Sequence, residues 1–178
     1  MMRIIKKILL FIVAIIAIML VVALFVKKDY AISKEIVVNK PKQQVFEYIS
    51  KLKNQNEYGT WYKMDTAMKQ TFTGTDGMKG FISSWESDKA GNGSQTITNV
   101  VNGEKIETDL VFKSFVDFKS SAVMSTSSVN DSTTKVVWSM SGKTPYPFNV
   151  MSLFMSMEDA VGKDYSTGLA NLKTILEK

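Results

Sequence analysis

Residues Ile8 to Val26 form nineteen consecutive positions with no charge, amide or hydroxyl. At about 1.5 Å rise per residue, a helix of this length covers roughly 28 Å, close to the roughly 30 Å hydrocarbon core of a bilayer. A helix satisfies its own backbone hydrogen bonds in lipid, which a lone strand cannot do. Lys6 and Lys7 close the run on one side and Lys27 and Lys28 on the other, where both pairs can snorkel to headgroups. A cleaved signal peptide shares the basic start and apolar core. Its exit would want small residues, however, and Leu24-Phe25-Val26 stands there instead. A buried helix of a soluble protein is the third reading. The run favours an uncleaved single-pass anchor, with the bilayer as partner through residues 8–26. It contains no polar group that would serve a pore or transporter.

Arg3, Lys6 and Lys7 precede the run, whereas Lys27 and Lys28 are followed by Asp29. By the positive-inside rule this asymmetry points to a cytoplasmic N-terminus and an extracytoplasmic domain. The charge of the chain also divides there. The net charge is +5, and residues 1–28 hold five basic and no acidic side chains, so residues 29–178 are neutral. A nucleic-acid partner would need basic residues clustered on the folded part, and the sequence offers none. Cysteine is absent, which excludes disulfides without naming a compartment. Residues 29–178 have the size of one domain, tethered by a short stretch from Lys27 to about Ile32.

Ile32 to Val38 read as a strand. Pro41 then opens a helix whose stripe is Val45, Phe46, Ile49 and Leu52. From Met68 to Ser141 the pattern is strands and turns. Lys89-Ala90-Gly91-Asn92-Gly93, Asn102-Gly103 and Asn130-Asp131-Ser132 are turn signals. Ile106, Thr108, Leu110 and Phe112 alternate with Glu107, Asp109, Val111 and Lys113, the cleanest period of two in the chain. Thr134, Val136, Trp138 and Met140 repeat it. Six or seven strands joined by short turns imply an antiparallel sheet and an α+β fold. After Pro145 and Pro147, the residues Phe154, Met157, Val161, Tyr165, Leu169, Leu172 and Leu176 predict a long amphipathic helix covering one sheet face. Gly162 and Gly168 within it each cost about 1 kcal/mol of helix propensity relative to alanine. Either close packing against the sheet or room for a guest would account for them.

Histidine and cysteine are both absent, which removes the usual zinc and haem ligands and the common nucleophilic schemes. No metal site and no cofactor is expected. Glu107 and Asp109 share their face with Lys113 and read as solvated. Glu86, beside Trp85, and Asp65, near Trp61, are the weak catalytic candidates; buried, either would have a raised pKa and could move a proton. The aromatic and methionine residues say more. Trp61, Trp85, Phe112, Trp138, Met140, Met157 and Tyr165, with Met151 and Met155, could line a hydrophobic cavity between sheet and helix. They could equally fill a core.

The order of these segments resembles the START-like superfamily, the SRPBCC group that includes Bet v 1-like, polyketide cyclase/dehydrase and lipid-transport proteins. The resemblance runs from about Ile32 to Glu177. It is carried by Val38-Asn39-Lys40-Pro41 with Val45-Phe46-Glu47-Tyr48-Ile49, by Trp61, and by Gly80-Phe81-Ile82-Ser83-Ser84-Trp85-Glu86 leading to Gly91-Asn92-Gly93-Ser94. Leu110-Val111-Phe112, Thr134 to Gly142, and Gly162 to Lys173 complete it. The resemblance implies a helix-grip fold of β-α-α-β(6)-α topology, in which a curved antiparallel sheet grips the C-terminal helix around a hydrophobic cavity. It also implies apolar ligands, such as lipids. The leading expectation is a membrane-tethered, non-enzymatic binder of a hydrophobic or amphipathic molecule. A cyclase- or hydrolase-like enzyme and a structural module with a filled core are the alternatives, and no protein partner is indicated.

Overall fold

The computed structural model describes residues 2–114 and 117–178. The apolar run lies within helix α1, Met2–Phe25. This helix is long and apolar enough to cross a membrane. Its side chains are almost all exposed, Ala23 being the buried exception, so it is not the core helix of a soluble domain. Only Val26 to Lys28 separate it from strand β1, Asp29–Val38. The strand therefore begins three residues before the expected Ile32 and absorbs most of the tether. Asp29 pairs with Lys143 in the sheet and the Thr144 N–H donates to the Lys28 carbonyl, so the ladder reaches back almost to the end of α1.

After β1 come α2 (Lys42–Ile49), a 3-10 turn at Leu52–Asn54, and the short helices α3 (Gln55–Tyr58) and α4 (Trp61–Met64). Six strands follow: β2 Lys69–Thr73, β3 Ile82–Glu86, β4 Asn92–Val101, β5 Lys105–Lys113, β6 Phe118–Asn130 and β7 Thr133–Lys143. A 3-10 segment, Phe148–Leu153, then leads into α5, Met157–Leu176. The sheet order is β1-β7-β6-β5-β4-β3-β2, antiparallel throughout. This is the helix-grip arrangement: a curved sheet wrapped around the long C-terminal helix.

The period-two segments put their apolar set on the concave face. Met140, Ala122 and Thr108 lie in register across β7, β6 and β5, as do Trp138 and Met124 on β7 and β6. The C-terminal half of α5 packs Leu169, Leu172 and Leu176 against Val38, Val45, Ile49 and Val136, a filled core at that end of the sheet. A second cluster, Phe46, Leu52, Phe81, Ile97 and Ile106, seals the outer side of α2.

Two expectations need correction. Phe154 is not part of α5. Ser156 caps the helix, its Oγ accepting from the Glu158 and Asp159 N–H groups at 3.1 and 3.4 Å. Those two acidic residues also suit the positive helix end. Asn92-Gly93 is likewise not a turn. Gly91 carries the positive φ of 72° and the strand resumes at Asn92.

Gly93 has a different reason to be glycine. It pairs with Trp85 on one side and Phe112 on the other. The Trp85 indole lies across it to meet Phe112 edge-on at 6.0 Å. A Cβ at Gly93 would sit 2.5 Å from Trp85 Cζ2 and 2.6 Å from the Val111 carbonyl oxygen. Gly93→Ala is therefore expected to lift the indole out of its place and lower stability by about 1–3 kcal/mol, read by denaturant titration with tryptophan emission. In α5, a Cβ at Gly168 would lie 3.0 Å from the Trp138 ring and one at Gly162 2.9 Å from Lys34 Cε. Gly168 serves close packing against the Trp138 ring; at Gly162 the neighbours are flexible side chains, the Lys34 arm crossing the helix to pair with Glu158.

Candidate functional site

The filled core does not extend along the whole helix. Between the N-terminal half of α5 and the ends of β3 to β7 near Trp85, Phe112, Phe118 and Met140 lies a cavity of about 420 Å³, within the roughly 300–1,000 Å³ of typical ligand sites. Core and pocket are thus both present, at opposite ends of the same sheet face. The divide between them is aromatic. Trp138 and Tyr165 stack with centroids 4.1 Å apart, and Trp61 stands edge-on to both at 6.4 and 5.8 Å. Tyr58, wholly buried, braces Trp138 from the core side at 5.8 Å and donates its hydroxyl to the Met124 sulfur at 3.4 Å.

Trp61, Trp85, Phe112, Trp138, Met140, Met157 and Tyr165 all line this cavity, as do Met151 and Met155. Sequence reasoning missed Phe118 and Phe148, whose rings meet edge-on at 6.0 Å. It also missed the polar members. Gln95 is buried with its Nε2 donating to Thr108 Oγ1 at 3.0 Å. Gln55, also buried, lines the cavity and makes no side-chain hydrogen bond among the described residues. Tyr30 contributes a hydroxyl that shares a 2.6 Å hydrogen bond with Ser120. Buried amides and hydroxyls within an otherwise apolar wall are the groups that orient a guest.

No charged side chain among the described residues lines the cavity. Glu86 is exposed, on the strand face opposite Trp85. Asp65 lies outside the wall and ties two loops together. Its Oδ2 accepts from Ser87 Oγ at 2.6 Å and its Oδ1 from the Ala67 N–H at 3.0 Å. Those bonds, Ser87 first, hold its carboxyl below the usual range, the reverse of the raised pKa a proton donor would need. Neither carboxylate reaches the cavity as the sequence reading allowed. Among the described residues, no group of three acidic, histidine or cysteine side chains is placed to hold a metal ion.

The ionisable groups of the wall are tyrosines. Desolvation raises Tyr165 far above its ordinary value, does the same for Tyr58 behind it, and pushes Tyr62 up to about 12, with Ser83 partly opposing. All three are neutral near pH 7. Their folded pKa values exceed the unfolded value of 10.0, so the stability they contribute is complete below pH 10 and is lost as pH rises toward the folded values. Titration followed by tyrosinate absorbance and circular dichroism is expected to show delayed ionisation of these groups, coinciding with unfolding. Early ionisation of every tyrosine in a folded chain would contradict their burial.

No protein-family model matches the chain, and neither does any curated protein sequence. Solved structures match by fold. Norcoclaurine synthase from Thalictrum flavum, in complex with dopamine and hydroxybenzaldehyde, superimposes with a TM-score of 0.61 at 12% identity, over 88% of this chain and 91% of the synthase. A hypothetical protein of Helicobacter pylori gives 0.64 at 8% identity, over 85% and 89%. A protein of Thermobifida fusca gives 0.57 at 13%, over 82% and 92%. The domain therefore has a helix-grip core of the Bet v 1 type. At these identities the likeness concerns the fold alone.

Proposed function

We propose that this chain is a membrane-tethered binding protein for an uncharged, hydrophobic small molecule or lipid. The observation that carries the reading is the wall of the cavity: aromatic and methionine side chains, a few neutral polar groups, and no charge among the described lining residues. An apolar guest gains about 25 cal/mol for each Å² it buries there. A carboxylate or phosphate would lose its hydration and find no cation. Gln55, Gln95 and the Tyr62 hydroxyl give a carbonyl or hydroxyl group of the guest something to bond. The norcoclaurine synthase structure, with its dopamine and hydroxybenzaldehyde, supports the idea that this fold admits small aromatic guests.

Helix α1 is the anchor in this reading, residues 1–28 the membrane unit and residues 29–178 the binding domain, for which Arg3 before the span and Asp29 after it favour the extracytoplasmic side. A catalytic role has no comparable support, since the described lining residues include no carboxylate. The test uses the full chain in nanodiscs. N-phenylnaphthylamine, a neutral apolar fluorophore, is expected to accept energy from the cavity tryptophans and to be displaced by the natural guest, which native mass spectrometry of the purified chain should find as a neutral compound. A chain that retains no such compound and takes up no fluorophore at micromolar concentration would end the proposal.

A further inference from the structure

The segment between β7 and α5 is unlike any other loop of the domain. From Thr144 to Ser156 it has thirteen residues and no charge. Met151, Leu153, Phe154 and Met155 are 57–79% exposed. On a water-facing loop such a patch would be costly, and it calls for a partner.

The same segment is fastened to α1. Asn149 is fully buried, and its Nδ2 donates to the carbonyls of Ala23 and Val26 at 2.7 and 2.9 Å. It caps the last turn of the helix, where backbone carbonyls lack intrahelical partners. Tyr146 donates its hydroxyl to the Leu20 carbonyl at 3.3 Å. Beyond these bonds, Pro147, Phe148, Val150 and Met151 face Ile16, Met19 and Leu20 across an apolar crevice. Ile16 lies seven residues before Ala23, about 10 Å of axial rise. Whatever flanks the helix at that level lies beside its apolar run, not beyond its end. Two polar groups of the segment are spent internally: Ser152 Oγ on the Asn149 carbonyl at 2.9 Å and Asn149 Nδ2 on α1, while Asn149 Oδ1 is buried with no hydrogen-bond partner among the described residues.

The segment also borders the ligand cavity. Phe148 and Met151 line both the cavity and the crevice against α1. Ser152, Met155 and Met157 complete that side of the cavity wall.

We propose that Pro147–Met155 is a second membrane-seated element, which together with α1 opens the cavity sideways into the leaflet. The occupant of the exposed patch is acyl chain. A guest then passes between bilayer and cavity past Phe148 and Met151 without crossing water. The proposal rests on the reading of α1 as a spanning helix, and the test separates the two.

The chain has no cysteine, so single-cysteine variants of the full protein take one label each. Leu153→Cys and Phe154→Cys probe the segment, Ile12→Cys probes the span, and Met78→Cys probes an exposed turn before β3. Each is labelled with nitrobenzoxadiazole in phosphatidylcholine nanodiscs and quenched either by aqueous iodide or by nitroxide on the lipid chains. Positions 153 and 154 are expected to follow position 12, quenched from the lipid and shielded from iodide. If they follow position 78 while 12 stays shielded, the membrane seat is wrong and the anchor stands. If 12 is also open to iodide, both ideas fall. In the double variant Leu153→Asp/Phe154→Asp, neither residue touches the cavity. Transfer of N-phenylnaphthylamine from bilayer to cavity should slow by about tenfold or more, with its equilibrium affinity in detergent unchanged. An unaltered transfer rate would overturn the lateral route.

Discussion

Trp138→Ala is expected to cost about 3–5 kcal/mol, the largest single loss foreseen for this domain and a major part of the about 5–15 kcal/mol that holds a typical one together. Trp138 is buried on β7, stacked on Tyr165 of α5 and edge-on to Tyr58 and Trp61. It fills the space that Gly168 leaves in the helix. Removing the indole detaches α5 from the sheet at the point where filled core gives way to cavity, and three aromatic neighbours lose a face. Calorimetry or urea titration of the variant reads the loss. Trp138→Phe should recover part of it, since a ring still stacks on Tyr165. A Trp138→Ala variant within about 0.5 kcal/mol of the parent, the range of an ordinary surface change, would mean that the aromatic divide does not hold the helix.

Leu110→Trp tests the cavity itself. Leu110 is half-buried on β5, in the wall between Gln95 and Phe112. In a filled core an added indole overpacks and costs about 1–3 kcal/mol. In a void it gains contacts that the lining lacks. The expected result is a chain at least as stable as the parent that binds N-phenylnaphthylamine more than about tenfold more weakly, a change of about 1.4 kcal/mol. Lower stability with unaltered binding would show that this end of the domain is packed solid. The paired readout matters because loss of binding alone would also follow from misfolding.

The fold was legible because its signals are periodic. Ile106 to Phe112 and Thr134 to Met140 alternate, with only Val111 and Val137 apolar on the other face, and Met157 to Leu176 keep one stripe over the full helix, so sheet, cover and their facing surfaces follow from spacing. The resemblance then implied the helix-grip arrangement that the structure displays, with three short helices rather than two between β1 and β2. Nine of the cavity-lining residues were legible too, Met151 and Met155 among them, since large aromatic and methionine side chains have few other uses. The void is a different matter. It is the volume left over between segments distant in the chain, and no local pattern encodes a remainder. Phe118 and Phe148 were missed for that reason: one stands at the first position of β6, the other in a 3-10 segment with no period. Gln55 and Gln95 were missed because a lone amide in a polar stretch looks like any surface residue. The acids failed in the opposite direction. Glu86 and Asp65 drew notice for standing near tryptophans in sequence, but strand alternation turns Glu86 outward and Ser87 claims Asp65. Ser156 carried a readable cap signal, with Glu158 and Asp159 after it, that the apolar spacing of Phe154 overrode.

Three residues, Val26 to Lys28, join α1 to the sheet, and the Asn149 amide clasps the carbonyls of Ala23 and Val26 at the α1 end of that junction. A domain held at two points so close together is a head on a stiff stem rather than a float on a leash. With α1 seated in a bilayer as proposed, it cannot roll to present another side to that surface. Where the stem stands therefore decides which way the hollow looks, and a few glycines spliced in after Val26 would uncouple that heading from the hollow while leaving both intact.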